Sequence, residues 1–216
     1  MRYRLIVFDW DGTLLDSAGG IVECIQEAAR ELRLPVPARD TASHVIGLGL
    51  HASLRTAVPS LPEAQYREFA EAYRRHFLAR QDSMALFPGV RDLLQELSAA
   101  GHRLAVATGK SRRGLDHALE ATALRRLFAA TRCADETDPK PHPAMLLELM
   151  AQLAVAPAQS LMVGDTSHDL EMARSAGVDA VAVSYGAHPG EALRALAPRA
   201  CVADVAELRA WLSSNA

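Results

Sequence analysis

The sequence predicts an α/β protein with a doubly wound, Rossmann-like parallel sheet and an inserted helical cap. Short apolar runs, typical of strands buried on both faces, alternate with segments of helical periodicity over most of the chain. Between residues 17 and 86 this alternation stops and only helical periodicity remains. We therefore expect an α/β core formed by residues 1–16 and 87–216, and a helical cap formed by residues 17–86.

The first predicted strand, residues 5–8, is a continuous apolar run that ends in an Asp-Trp-Asp-Gly turn. Further strand-like runs follow at residues 102–109, 128–133, 160–165, 179–184 and 200–202. Helical periodicity lies between and after them, at residues 90–100, 113–127, 143–153, 169–176 and 203–212. Strands that alternate with helices in this way favour a parallel sheet with right-handed crossovers.

The predicted cap leaves the sheet after the first strand and returns at residues 87–90. Residues 21–32 and 62–78 carry its helical periodicity, and several prolines punctuate it. Its position predicts that it covers the carboxyl end of the first strand, where open α/β sheets bind ligands. We expect the cap to move on hinges near residues 15–18 and 83–88, because the glycines at its two ends, in residues 18–20 and 88–89, let the backbone rotate there.

Composition narrows the function classes. The chain has 216 residues, half of them hydrophobic, and a formal charge of -3, which disfavours a nucleic-acid partner bound through a basic surface. No apolar run is long enough to cross a bilayer, and we expect a cytoplasmic protein, monomeric or homodimeric. Cys24, Cys133 and Cys201 show no metal-binding spacing and are expected to be reduced. The only two lysines are Lys110 and Lys140.

Polar side chains follow the predicted strands at the point where each strand ends. They are Asp9 and Asp11 after the first strand, Thr108 after the second, Lys140 after the third, and Asp165 with Asp169 after the fourth. Neighbouring ends of a parallel sheet lie close together, so four carboxylates are expected to converge. Because such a cluster repels itself, we expect a shared Mg²⁺ ion, with the lysine helping to bind a phosphate group.

Four motifs carry a family resemblance. They are FDWDGTL at residues 8–14, ATG at 107–109, DPKPHP at 138–143 and GDTSHD at 164–169. In this order, each at a predicted strand end, they resemble the motifs of the haloacid dehalogenase-like superfamily of phosphohydrolases, in the branch with a helical cap after the first strand. Within that branch the chain looks most like the phosphoglycolate phosphatases and their near relatives.

The resemblance implies a role for each carboxylate. Asp9 is the nucleophile that takes up the phosphoryl group, and Asp11 is the general acid and base. The Asp9 carboxylate, the backbone carbonyl of Asp11 and Asp165 hold Mg²⁺. Asp169 lies in the outer shell of the metal or positions Lys140.

The remaining motif residues are expected to serve the phosphate group. Gly12 and Thr13 form the turn that aims the general acid, and Thr108 with the amide of Gly109 donates hydrogen bonds to phosphate oxygens. Lys110 is a candidate for a second phosphate contact, with a solvent-facing lysine as the alternative. The expected substrate is a small phosphorylated metabolite resembling phosphoglycolate.

Other proteins of the same fold differ in the residues that their functions require. The general acid at Asp11 argues against a dehalogenase, and the absence of lysine from residues 17–86 argues against a phosphonate-cleaving enzyme with a Schiff base in its cap. A phosphosugar mutase keeps the same four motifs and is the alternative enzyme. A non-catalytic phosphometabolite-binding protein is disfavoured because the whole catalytic set is present.

Within the cap, the residues that contact substrate stay open at this stage. His44, His51 and Arg55 surround the Gly47-Leu-Gly49 stretch, a flexible turn that could lie over the active site. A basic group further on is expected to be an exposed helix face, and His142 and His168 are expected to cap or pack locally. That basic group comprises Arg67, Arg74, Arg75 and Arg80.

Overall fold

A computed structural model describes residues 2–216, apart from the side chain of residue 82. Its sheet has six parallel strands in the order β3-β2-β1-β4-β5-β6. The strands are β1 (Leu5–Phe8), β2 (Arg103–Thr108), β3 (Phe128–Cys133), β4 (Ser160–Gly164), β5 (Asp179–Val183) and β6 (Ala200–Val202). The predicted α/β class and parallel sheet are confirmed.

Helices cover both faces of the sheet, which accounts for the continuous apolar runs. In β1, Ile6 and Phe8 pack on one face, whereas Leu5 and Val7 pack on the other, and all four are fully buried. The core helices are α5 (Val90–Ala99), α6 (Arg112–Ala121), α7 (Ala144–Leu153), α8 (Ser167–Ser175), α9 (Gly190–Arg194) and α10 (Val205–Asn215). The predicted helix at 113–127 is too long, because a left-handed residue, Ala123, follows α6 and a 3₁₀ turn covers the rest.

The insertion, residues 17–86, is called the cap below. Its helices are α1 (Ala18–Glu31), α2 (Arg39–His44), α3 (Leu50–Ala57) and α4 (Tyr66–Arg80). They share an apolar cluster of their own, in which Val22, Phe69 and Ala72 are almost fully buried. The helices α2 and α3 were not predicted, because each is too short to show a clear period.

The two chain segments that join cap and core run side by side. Leu15 and Leu86 form an isolated antiparallel bridge, and the Asp16 amide donates to the Ala85 carbonyl at 2.9 Å. The glycines predicted for the entry hinge, at 19 and 20, lie inside α1 instead of in a loop. Gly20 allows close packing there, since a β-carbon would lie 2.6 Å from the Met84 side chain. Within residues 2–216, no helix is both long and apolar enough to cross a membrane.

Candidate active site

The site lies at the carboxyl edge of the sheet, where β1 has β2 on one side and β4 on the other. Strand order changes direction at this point, which opens a crevice between the loops that follow neighbouring strands. Asp9 directly follows β1, Thr108 ends β2 and Asp165 directly follows β4. Each of these side chains is at most 1% exposed.

Lys140 joins two of the carboxylates in the interior. Its ammonium group lies 2.8 Å from Asp9 Oδ1 and 2.6 Å from Asp169 Oδ1, and its side chain is fully buried. Burial opposes the charge, but the two carboxylates raise the pKa of Lys140 above its ordinary value. The other oxygen of Asp169 accepts hydrogen bonds from the Thr166 hydroxyl at 2.6 Å and the Thr166 amide at 3.1 Å. Asp169 is therefore held rigidly and positions Lys140 against Asp9.

Asp165 is held between two loops. Its Oδ1 accepts from the Thr13 hydroxyl at 2.8 Å, and its Oδ2 accepts from the Ala187 amide at 2.7 Å. Gly12, with φ of 78°, lets the turn after β1 approach this carboxylate, since a β-carbon there would lie 2.1 Å from Asp165 Oδ2. The Tyr185 hydroxyl donates to the Thr13 carbonyl at 3.0 Å and fixes the same turn from the loop after β5.

Asp11 occupies a different environment at the border between core and cap. Its Oδ1 accepts from the Ser17 hydroxyl at 2.7 Å, and its Oδ2 lies 3.0 Å from the Lys110 ammonium group. The same ammonium group lies over the Phe77 ring of the cap, 4.6 Å from its centre. In this structure Lys110 therefore contacts the expected general acid and the cap.

The charges of the site fit a divalent cation. Asp9, Asp165 and Asp169 each offer an oxygen within 4.8 Å of the others, and no described residue hydrogen-bonds to the buried Asp9 Oδ2. Burial, reinforced by the neighbouring carboxylates, raises the pKa of Asp9 and of Asp165. With Asp11 included, four fully ionised carboxylates would exceed the two ammonium groups by two negative charges, and burial together with this excess raises those pKa values when no cation is bound. A hard cation with oxygen ligands removes that imbalance.

Thr108 and Gly109 form the wall of the site opposite Asp165. Thr108 Oγ1 accepts from the Lys110 amide at 3.2 Å, which leaves the hydroxyl proton free to donate elsewhere. Gly109 lies directly against the cap, because a β-carbon there would come within 2.6 Å of the Gly47 carbonyl oxygen and 2.7 Å of that of Leu48. The Gly47-Leu-Gly49 stretch thus lies over the active site, as the sequence indicated it could.

Three histidines join the cap to the part of the core that follows β4 and β5. His168 and His188, both buried in the core, point their Nε2 atoms at the carbonyl oxygen of His44 in the cap, at 2.8 and 3.1 Å. His188 Nδ1 accepts from the Ser167 amide at 3.0 Å, so Nε2 carries the proton and donates. Burial lowers the pKa of His168 and lowers that of His188 to about 4. These neutral imidazoles fasten the cap to the core through one carbonyl.

A cavity of about 400 Å³ extends from Asp9, Asp11 and Thr108 into the cap. Of the stretch that the sequence indicated could lie over the site, Gly47 and Leu48 line the cavity, whereas the neighbouring His51 packs against Tyr66. Arg74, expected on an exposed helix face, is exposed and also lines the cavity. The other basic residues of the group form ion pairs with glutamates on the cap surface. Those pairs are Arg67 with Glu71, Arg75 with Glu31, and Arg80 with Glu23 and Glu27.

Several residues of the site escaped the sequence analysis. Ser17 bonds the expected general acid, Tyr73 of α4 lines the cavity, and Tyr185 with the Ala187 amide supports the turn and the carboxylate behind it. The loop after β5 could have been found, because Ser-Tyr-Gly follows a predicted strand at the same edge as the motifs. Tyr73 had no such signal, since it lies within an ordinary helical period.

Comparison with known proteins places these features in a family. The model of the haloacid dehalogenase-like hydrolase family matches residues 6–183. Probable phosphatase IndB of Dickeya dadantii is 37% identical over 94% of this chain and 91% of its own length. Phosphoglycolate phosphatase of Pseudomonas putida is 31% identical over 95% of this chain and 78% of its own. Both relatives are named as phosphatases, and both align with nearly the whole of this chain.

Two further matches show how far the similarity in sequence and in structure extends. Tyrosine-protein kinase PtkA of Mycobacterium tuberculosis is 37% identical over 85% of this chain, but the match spans only 62% of the kinase. The crystal structure of a predicted phosphoglycolate phosphatase from Haemophilus somnus superposes with a TM-score of 0.83 at 27% identity, covering 96% of this chain and 97% of that one. The likeness in structure therefore includes the cap as well as the sheet.

Proposed function

We propose, since the chain belongs to the haloacid dehalogenase-like hydrolase family and is a phosphatase, that it is Mg²⁺-dependent and hydrolyses a small phosphomonoester through an aspartyl-phosphate on Asp9. One observation carries the proposal: the buried Asp9 carboxylate lines the cavity, and its Oδ2 has no hydrogen-bond partner among the described residues. The proposed substrate is a small phosphorylated metabolite, a class that includes phosphoglycolate.

In the first step, Asp9 Oδ2 attacks phosphorus in line with the ester oxygen. The bond between phosphorus and that oxygen breaks, and Asp11 gives its proton to the leaving alkoxide, so that an alcohol departs and an acyl phosphate remains. Lys140 holds Asp9 by its other oxygen at 2.8 Å, which orients Oδ2 and lowers the repulsion that an anionic phosphate would meet.

In the second step, Asp11 takes a proton from a water molecule that attacks the same phosphorus atom. The acyl phosphate bond breaks, inorganic phosphate leaves and the Asp9 carboxylate is restored. Ser17 contacts one oxygen of Asp11 and Lys110 contacts the other, which orients the side chain at the border of the cavity. The Thr108 hydroxyl, which accepts from the Lys110 amide and keeps its own proton, would donate to a phosphate oxygen in both steps.

Asp9, the backbone carbonyl of Asp11 and Asp165 would hold Mg²⁺, with Asp169 behind Lys140. When bound, the ion supplies charge neutralisation for the transferring phosphoryl group. The clustering of the carboxylates and the raised pKa of Asp9 support this assignment.

The metal assignment is tested by assaying phosphate release from an aryl phosphate in Mg²⁺, in Ca²⁺ and after exhaustive chelation. We expect turnover only with Mg²⁺, because the larger coordination number of Ca²⁺ could engage both oxygens of Asp9 and leave neither free to attack. Full turnover in Ca²⁺ or in chelator would overturn the assignment. Release of inorganic phosphate, and no isomerised ester, separates a phosphatase from a phosphosugar mutase.

A further inference from the structure

The cavity beyond the phosphoryl site has aliphatic walls. Its cap side is formed by α1, α3, α4 and the loop that precedes α3, through Ile21, Ile25, Ile46 and Leu54 among others. These four side chains are at most 7% exposed, so they are fixed by the packing of the cap. At about 400 Å³ the cavity is in the size range of pockets for organic ligands, about 300–1,000 Å³, and exceeds what a two-carbon acid requires.

The mouth of the same cavity is also apolar. The described residues include only four large hydrophobic side chains that are classed as exposed. Two of them, Leu50 at 38% and Leu78 at 52% exposure, line this cavity, whereas Val36 and Leu147 do not. Because both leucines line the cavity and reach solvent, the rim of the cavity is apolar like its walls.

The charges around the cavity are poorly placed for a second anionic group. Among the cavity-lining residues, Lys110 has its ammonium group 3.0 Å from Asp11, so a substrate carboxylate would compete with the general acid for it. Arg74 and Arg113 also line the cavity, but both are exposed. A buried carboxylate without a partner is costly, which disfavours an acidic leaving group in the aliphatic part.

Tyr73 places a hydroxyl group on the cap side of the cavity. The pKa of the Tyr73 hydroxyl is raised by burial and by the charge of Asp11, so the group is a neutral donor at physiological pH. None of the described residues contributes a hydrogen bond to it. Tyr73 lines the cavity together with Asp11, as do the polar side chains of Ser53 and Gln81. The Ser53 hydroxyl already bonds to cap carbonyls, whereas the Tyr73 hydroxyl is available to a ligand.

From these contacts we infer that the site takes phosphate monoesters of apolar alcohols, with an alkyl or aryl group held in the cap cavity, in preference to phosphoglycolate. The inference rests on the proposed function and narrows its substrate class. It predicts that the apolar group contributes to binding in proportion to the methylenes that it buries.

The test is kcat/KM for ethyl, butyl and hexyl phosphate and for phosphoglycolate, under one set of conditions with Mg²⁺. We expect kcat/KM to rise about fourfold for each added methylene until the cavity is filled, and hexyl phosphate to exceed phosphoglycolate. A flat series, or a higher kcat/KM for phosphoglycolate than for hexyl phosphate, would overturn the inference.

Matched variants localise the effect. Leu78→Gln, at the mouth of the cavity, should lower the ratio of kcat/KM for hexyl over ethyl phosphate by about fivefold. Leu147→Gln makes the same change at a side chain of similar exposure, 47%, on α7 away from the cavity, and should leave the ratio unchanged. If the two variants change this ratio equally, the alkyl group does not bind in this cavity.

Calorimetric binding of alkyl phosphonates separates failure of the inference from failure of the proposed function. These compounds cannot be hydrolysed as esters, so the measurement needs no turnover. Tighter binding of hexylphosphonate than of ethylphosphonate, without turnover of any ester, would keep the apolar site and contradict the phosphatase mechanism. Turnover of the esters, with equal binding of both phosphonates, would keep the phosphatase mechanism and contradict the apolar site.

Discussion

The two ends of the cavity are built on opposite principles. At the sheet, charged side chains are held in fixed geometry by one another, as in the contact of Lys140 with Asp9 and Asp169. In the cap, the walls are aliphatic and Tyr73 supplies a hydroxyl without a described partner. In the proposed function, the first arrangement carries out a reaction common to many phosphate esters, whereas the second selects among their organic parts. Chemistry and specificity are then carried by separate regions.

The largest expected effect follows from removing the Asp9 carboxylate. Asp9→Asn should lower kcat by at least about a thousandfold, since the substitution removes both the attacking oxygen and a metal ligand. The fold should persist, because Lys140 keeps its contact with Asp169. Steady-state turnover, with circular dichroism to follow the fold, checks both parts of this prediction.

The matched control for that variant is Asp138→Asn. Asp138 lies two residues before Lys140, its side chain is 72% exposed, and its one described ion pair is with His142 at 3.7 Å. Its loss should change kcat by less than about twofold, as expected for a surface position. Comparable losses in both variants would mean that charge in general, and not the nucleophile, limits turnover.

A smaller but sizeable effect is expected from fastening the cap. We expect the cap to open for product release and to close for phosphoryl transfer, because one rigid arrangement serves both poorly. A β-carbon at Gly49 would lie 3.5 Å from that of Ala134 in the core, within the range for a disulfide, about 3.5–4.5 Å. Gly49→Cys with Ala134→Cys should lose most turnover when oxidised and regain it on reduction.

Each single cysteine variant, treated with the same oxidant, is the control for this cross-link. The buried Cys133 adjoins the new cysteine and should be replaced by alanine in every form compared. If the verified cross-linked protein turns over at the parent rate, the cap is a static wall and the proposed hinge is wrong.

The smallest of these effects concerns the contact between the two regions. Gly109→Ala should lower kcat/KM by roughly tenfold, because its β-carbon would displace the Gly47 and Leu48 carbonyls and shift the cap over the site. Gly19→Ala, where the nearest atom would lie 3.7 Å away, is the matched control and should have no effect on kcat/KM. Equal kcat/KM for both variants would show that turnover tolerates a displaced cap.

The sheet edge and the cap also differ in how well they could be predicted from the sequence. The positions of Asp9, Thr108 and Asp165 follow from the sheet alone, because each adjoins the end of a buried strand and parallel strands bring those ends together. The predicted α/β class is confirmed, because the alternation of strands and helices in the sequence is the alternation found in the fold. The catalytic roles of these residues remain predictions.

The cap was less predictable for physical reasons. Its cavity is formed by aliphatic side chains such as Ile21 and Leu54, whose spacing is the same whether they pack together or face a ligand. The contacts of His168 and His188 with the His44 carbonyl depend on how cap and core meet, which no local pattern encodes. Lys110 was a candidate for a phosphate contact, with a solvent-facing lysine as the alternative, and only the structure reveals its contact with Asp11.

The most direct test of the account is to trap the covalent intermediate. The protein is mixed with a ³²P-labelled aryl phosphate in Mg²⁺, quenched in acid, digested and analysed for labelled peptides. We expect label on the peptide that contains Asp9, more of it in Asp11→Asn because the second step then lacks its base, and none in Asp9→Asn. Turnover by the wild-type protein with no label on that peptide, together with undiminished turnover in Asp9→Asn, would contradict the central claim.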